Sequence, residues 1–430
     1  MSIEQGLISR RNPAVSGPAE KIVFVVAAGI GVGYAISYAL MYAMHVLMFD
    51  PAGHPVLTDF LEFWSAGHLA LHGNALAAYD PRLIHAAEAV TVGHPIKSDI
   101  GWFYPPTFFF VAALLACVPS TMAFILWTNL TLLFQGAIAA AITKRWAALF
   151  VATAPPWVML CTLEGQDGLL NAGLIGAVLL TLERQPVLSG ILLGLLSYKP
   201  QFGLLFPIAL VFGGYWRSFA WAAATVAVLA VISGLALGFV TWPAFFHALA
   251  RATETHLTTN ALGFWPGILS LYGLARCLGL SYHVAMLLQT MLSVVCAAAV
   301  ALLWRSPASY DLKAAALAVA IPLVTPYIWV YDLPVLTIAL SYLYRNARFD
   351  AAEWCGVAVA LISVAAFPLH VLSVFPGENL PSGLLAGGAV GALVCRRLWR
   401  EKLRNEVAPC PPYVLPAARA IEQQPRAAMP

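Results

Sequence analysis

Four polar strings interrupt an otherwise apolar sequence, and they hold the side chains able to do chemistry. The first runs from Asp59 through Glu62, Phe63 and Trp64 to Gly67, followed by Gly73-Asn74 and Tyr79-Asp80-Pro81. On a helix, Asp59, Glu62, Phe63 and Ala66 share one face, and Thr58 could cap its start. Two carboxylates beside an aromatic wall at a membrane surface are partly desolvated, which raises their basicity. Such a group can take a proton from a hydroxyl, as a general base must; Asp59 is the first choice and Glu62 the second. The same string also fits an amphipathic helix lying at the interface, with Trp64 in the aromatic belt.

The other strings are Glu164-Gly165-Gln166-Asp167-Gly168, Lys199-Pro200-Gln201, and Thr325 to Pro334, which carries Tyr327, Trp329, Tyr331 and Asp332. Charges at or near membrane depth are costly, so they usually face a polar cavity. Lys199 is suited to holding an anionic phosphate, although a lysine at a helix end can also snorkel; His256 and Arg251 are the next choices. Phe103-Tyr104-Pro105-Pro106 marks where the first loop turns back toward the bilayer, since two prolines end any preceding helix. His68 and His72 have zinc-compatible spacing without a third ligand nearby, and the seven cysteines are isolated. No metal, cofactor or nucleic-acid partner is expected. The absence of a Walker A motif, of GxGxxG in a strand context, of GxSxG and of HExxH argues against ATP-driven transport, soluble nucleotide-sugar transfer and metalloprotease chemistry.

What positions these strings is set by composition. Hydrophobic residues make up 61% of the 430 and charged ones only 10%, where a soluble domain averages about 25% charged. The chain is therefore read as a polytopic, all-α membrane bundle. At roughly 20 residues per crossing it accommodates about 12 transmembrane helices, with 10–13 as the range. A cytoplasmic leader, 1–21, precedes a membrane domain over 22–400, and a polar, Pro-rich tail, 401–430, is expected to be disordered and cytoplasmic. The cations of the leader place 50–104 and 241–282 on the exterior side by the positive-inside rule, so the first exterior loop is a helical one bearing Asp59. Residues 105–118 are short for a span, and 187–213 are long and interrupted at Lys199. Keeping Lys144 and Arg145 inside favours a helical hairpin over 187–213 with Lys199 at its exterior apex, which makes 105–118 re-entrant.

Taken in order, Asp59-Phe60, Phe63-Trp64, Ala66-Gly67, Gly73, Tyr79-Asp80, Phe103 to Pro106, Gly165-Gln166, Lys199-Pro200-Gln201 and Pro326 to Asp332 resemble glycosyltransferase family 87 of the GT-C class. The resemblance implies a GT-C bundle, a polyprenyl-phosphate-linked sugar donor, an exterior active site and an acidic general base in the first loop, which Asp59 matches. It implies a hexose, mannose in the best-known members, moved with inversion to a lipid or glycan acceptor in the cell (inner) membrane. Trp64, Tyr104, Gln166, Gln201, Tyr327 and Asp332 are then expected to line the substrate pocket. Family members often carry a histidine in the segment matching Thr325 to Tyr331, and this sequence has none there. A secondary transporter or lipid flippase is the rival from another class, but it predicts inverted repeats and paired acids within spans, whereas the acids here cluster at segment ends.

Overall fold

The computed structural model describes residues 18–47, 52, 59–95, 101–259, 267–365 and 381–407. The leader to residue 17, Thr58 and the tail beyond 407 lie outside the described residues. Helix accounts for 81% of the structure, with no strand among the described residues. In chain order the α-helices begin with α1 (Pro18–Ala43), α2 (Asp59–Leu71), α3 (Pro81–Val92), α4 (Phe109–Ala116), α5 (Ser120–Thr143), α6 (Ala148–Val151), α7 (Pro156–Glu164) and α8 (Gly168–Thr181). Next come α9 (Pro186–Leu195), α10 (Pro200–Gly203), α11 (Phe206–Gly213), α12 (Trp216–Leu237), α13 (Thr241–Ala252) and α14 (Leu271–Cys277). The chain continues through α15 (Tyr282–Arg305), α16 (Tyr310–Val324), α17 (Val335–Asn346), α18 (Ala351–Ala365) and α19 (Ser382–Val407).

Four described stretches are long and apolar enough to cross a bilayer unaided: Phe24–Ala43, Ser120–Thr143, Trp216–Leu237 and Tyr282–Arg305. Five further apolar helical stretches among the described residues are shorter, 10–17 residues, and differ in burial. Gly168–Thr181 is buried along nearly its whole length, while α12 leaves Val228, Val231 and Leu235 exposed, as a lipid-facing surface would.

Contacts at helix ends fix how the chain runs. The Ser218 hydroxyl donates to the Pro186 carbonyl at 3.0 Å, Gly190 packs on Trp221, and Gly194 packs on Thr225. Helices α9 and α12 therefore run parallel from a common end. Gly213, at the close of α11, packs against Tyr215 and Trp304 at that same end. Residues 186–213 thus go out and come back, a hairpin with Lys199 at its turn. Small residues allow this approach of backbones, the usual device where apolar packing alone must hold helices together.

Segment 105–118 behaves as the hairpin requires. A 3₁₀ turn, Pro106–Phe108, leads into α4, whose eight residues span only about 12 Å. It lies along α2 so closely that a Cβ on Gly67 would sit 1.9 Å from the Ala112 carbonyl oxygen. The chain enters α5 at the level it left, since Phe124 meets Phe60 with ring centroids 5.4 Å apart. At the far end of α5, Arg145 lies over the Tyr344 ring. That end also holds the Arg345–Asp311 pair and the pairing of Arg396, Arg397 and Arg400 with Asp350 and Glu353. The polar strings meet at the opposite end.

Candidate active site

Asp59 opens α2, and its position is set by a break between two other helices. The turn from α7 to α8 passes through Gly165 at φ +66°, where a Cβ would meet both Phe60 and Phe124 at 2.6 Å. Glycine answers both demands, a left-handed backbone and a close approach. The Trp127 indole N–H donates to the Gly165 carbonyl at 2.9 Å, which holds the turn and aims the next side chain. Gln166 Nε2 then donates to Asp59 Oδ2 at 2.9 Å, and the Tyr104 hydroxyl donates to Gln166 Oε1 at 3.2 Å. The Tyr79 hydroxyl in turn donates to the Tyr104 carbonyl at 2.9 Å, and the Arg251 guanidinium donates to the Tyr79 carbonyl. Because an ionised carboxylate only accepts, the amide must turn its N–H toward Asp59.

A second assembly sits beside the first. Lys199 Nζ lies 2.7 Å from Asp167 Oδ1 and 2.7 Å from Asp332 Oδ1, all three residues being buried. Asn171 Nδ2 donates to Asp167 Oδ1 at 3.1 Å, and the Tyr198 hydroxyl donates to Asn171 Oδ1. The Trp329 N–H donates to Asp332 Oδ2 at 3.0 Å. The ammonium also lies near the rings of Phe202 and Tyr331, 5.3 and 5.6 Å from their centroids. Lys199 thus joins three helix breaks: the start of α8, the hairpin apex and the turn ahead of α17. Within the triad, two carboxylates outweigh one ammonium.

Electrostatics separate the two acids of α2. Burial pushes the Asp59 carboxyl up, and Glu88 adds to this, while the Gln166 hydrogen bond and the Lys199 charge pull it back. Burial pushes Glu62 well above the usual range, with Glu88, Asp59 and Asp167 pushing the same way. Glu62 Oε1 is shielded and has no hydrogen-bond partner. Burial lowers His256 to about 4, so this imidazole, packed between Phe103 and Tyr327, is neutral at pH 7 and can offer an N–H but no full charge.

The structure therefore brings Asp59, Tyr104 and Gln166 together directly, with Lys199 and Asp332 joined through their own contact. Tyr327 lies close enough for its phenol to feel Asp59 and Glu62. Trp64 is placed elsewhere: its indole donates to the Val118 carbonyl at 2.9 Å and its ring stacks on His68, which ties α2 to the end of α4. Gln201 is half-buried in the first turn of α10, beside Lys199. No group of three His, Cys, Asp or Glu with metal-holding geometry occurs among the described residues.

Sequence reasoning passed over Glu88, Asn171, Tyr198 and Trp127, and gave Asp167 no role. Glu88 left a signal, because Ile84, Glu88 and Val92 form the buried face of α3, and a carboxylate interrupts that apolar stripe.

Among protein families, the model of glycosyltransferase family 87 matches residues 102–326, just over half of the 430-residue chain. No curated protein and no solved structure matches the chain. The matched stretch contains Tyr104, Gln166, Asp167 and Lys199, four members of the polar assembly just described. With its apolar helices and this match, the chain belongs to glycosyltransferase family 87 and is a membrane glycosyltransferase.

Proposed function

We propose that the protein moves a hexose, mannose in the first instance, from a polyprenyl-phosphate-linked donor to a lipid or glycan acceptor, with Asp59 as general base. The observation that carries this reading is the fixing of Asp59 by Gln166 at the meeting point of α2 and two helix breaks. The acceptor hydroxyl gives its proton to the free Asp59 oxygen as its own oxygen bonds to the anomeric carbon. The bond from that carbon to the phosphate oxygen breaks, and the electron pair leaves with the polyprenyl phosphate. Displacement in line inverts the anomeric centre. About 12 spans (10–13), several of them short, would carry the site in the cell membrane.

The exterior facing of the site is supported by charge. Lys144, Arg145, Arg305, Arg345, Arg348, Arg396, Arg397 and Arg400 gather at the end away from Asp59, and cations of this kind mark the cytoplasmic side. Of the groups proposed for the leaving phosphate, Lys199 has two of its three N–H donors taken by aspartates, His256 can supply an N–H, and Arg251 is engaged by the Tyr79 carbonyl. The two Lys199 contacts favour a second part for it, as the joint that holds the three breaks together.

The test uses purified protein in nanodiscs with synthetic polyprenyl-phosphate hexoses. The wild type is expected to release polyprenyl phosphate and form product, and Asp59→Asn to lose about 10²–10⁴-fold in kcat while remaining folded. Transfer by Asp59→Asn at the wild-type rate, or none by the wild type with any donor, would overturn the proposal.

A further inference from the structure

Helix α3 carries a charge where its pattern calls for an apolar side chain. Its inward face is Ile84, Glu88 and Val92, with Ile84 and Val92 fully buried and Glu88 only 4% exposed. The helix is firmly made: Asp80 caps it by accepting from the Arg82 N–H at 2.9 Å, Pro81 opens it, and Gly93 closes it at φ +81°. A leucine at 88 would finish the stripe. Instead the carboxylate is held by His85, whose Nδ1 lies 2.7 Å from Glu88 Oε2. A buried charge with a dedicated partner, on a face packed toward α2, calls for a reason other than stability.

That reason lies across the contact with α2. The charged groups facing Glu62 are Asp59 on its own helix, Glu88 on α3 and Asp167 ahead of α8. Helices α4 and α5 also pack against α2 and bring no charged side chain, and Tyr104 and Tyr327 contribute only phenols; Glu164, at the end of α7, faces Asp59 and is raised to about 7 by burial and by that carboxylate. Asp59 has what an ionised carboxylate needs, the Gln166 donor and the positive charge of Lys199. Glu62 has neither, and its Oε1 is shielded without a partner. Like charges brought together in a shielded site cannot all stay ionised, and the group with no donor is the one that keeps a proton.

We propose that Glu88, held by His85, is a positioning residue that keeps a proton on Glu62. Asp59 stays the ionised group because it alone has the Gln166 donor and the nearby Lys199 ammonium. The protonated Glu62 can then donate a hydrogen bond to the acceptor sugar or alcohol, orienting the hydroxyl that Asp59 deprotonates. This part rests on the proposed transfer reaction; the placing of the proton does not. Two carboxyls of one helix turn thereby take opposite roles because their surroundings differ.

The deciding measurement is infrared difference spectroscopy of the protein in nanodiscs across a pH titration, where a protonated carboxyl shows a carbonyl stretch that a carboxylate lacks. In the wild type such a band persists at pH 7; Glu164→Gln removes the part owed to Glu164, which burial and Asp59 raise to about 7, and Glu62→Gln in that background removes the rest. Glu88→Leu, which completes the apolar stripe and so favours folding, lowers the titration midpoint of the band by about one pH unit. Glu88→Asp restores the charge and returns the midpoint most of the way, which a purely structural role would not do. The alkaline limb of the pH–rate profile of transfer follows the same shifts. A band absent from the wild type at pH 7, or a midpoint that Glu88→Leu leaves in place, overturns the inference. Failure of the wild type to transfer any hexose would instead refute the reaction and leave the spectroscopic result standing on its own.

Discussion

Replacing Lys199 by methionine separates two accounts of that residue. Both its contacts are at 2.7 Å to buried carboxylates. At an effective dielectric of about 20, each is worth roughly 6 kcal/mol of gross attraction. Most of that is cancelled by the cost of taking three charges out of water, so the intact triad adds little net stability. Removing the cation alone is another matter, because Asp167 and Asp332 would then stay buried side by side with nothing between them. Breaking a buried pair in this way costs about 3–5 kcal/mol. Lys199→Met is thus expected to unfold much more readily than the wild type in detergent, followed by loss of monodispersity on heating. Adding Asp167→Asn and Asp332→Asn to Lys199→Met should recover most of the loss, since neutral amides remove the uncompensated charge. Were Lys199 chiefly a ligand of the donor phosphate, Lys199→Met would keep wild-type stability and show only a raised KM for donor. That outcome would refute its role as the joint between the three breaks.

Gln166→Leu leaves Asp59 without its donor; a hydrogen bond to a charged group is worth about 1.5–3 kcal/mol, so kcat should fall roughly 10–100-fold with donor KM little changed in steady-state assays. Gly67→Ala puts a methyl 1.9 Å from the Ala112 carbonyl oxygen and must lever α2 off α4, costing about 1–3 kcal/mol in thermal unfolding and most of the transfer activity. His256 takes up its proton at about 4 when folded and near 6.5 when unfolded, so the unfolded state binds more protons in between. Its contribution to stability is therefore present above pH 6.5 and lost as pH falls toward 4, and His256→Phe should flatten that part of the stability–pH curve.

The sequence displays its breaks clearly and its contacts hardly at all. The hairpin over 187–213 was legible because sidedness is a counting problem: Lys144 and Arg145 can stay with the other cations only if Lys199 sits at a turn. Asp59 was legible as a polar exception in an oily chain. That Gln166 would bind it was not visible, since 107 residues separate the two; the order of motifs marked Gln166 only as a pocket residue. Lys199 stood out as a charge needing a purpose, yet its carboxylates lie 32 and 133 residues away. Nothing local announces that two other helix breaks arrive at the same point. Trp64 was taken for a pocket residue because it falls within the first string of the family resemblance, whereas the turning back of 105–118 puts the Val118 carbonyl in reach of its indole. Glu88 escaped notice for the opposite reason. Amphipathic reading assigns a lone glutamate to the wet face, and here the helix turns that residue inward.

The acid-rich character of the site bears on how an anionic donor could be held there. Asp167 and Asp332 hold Lys199, and Asp59, Glu62, Glu88 and Glu164 lie beside them, so a phosphate entering with its charge would be repelled if all six were ionised. Two devices reduce the repulsion. Lys199 gathers Asp167 and Asp332 into a triad of net charge −1, and the proton proposed for Glu62 removes another charge. The residual charge of the triad can be changed one step in either direction. Asp332→Asn makes it neutral while keeping side-chain shape, and Lys199→Met makes it −2. If the donor's phosphate approaches this assembly, Asp332→Asn should lower the donor KM severalfold, whatever it does to kcat through the loosened Trp329 turn. Any Lys199→Met that folds should raise it, and neither change should depend strongly on salt, because buried charges are poorly screened. Equal donor KM values in the wild type and both variants would mean that the phosphate sits well away from Lys199, and that His256 and the backbone N–H groups near it carry the leaving group instead.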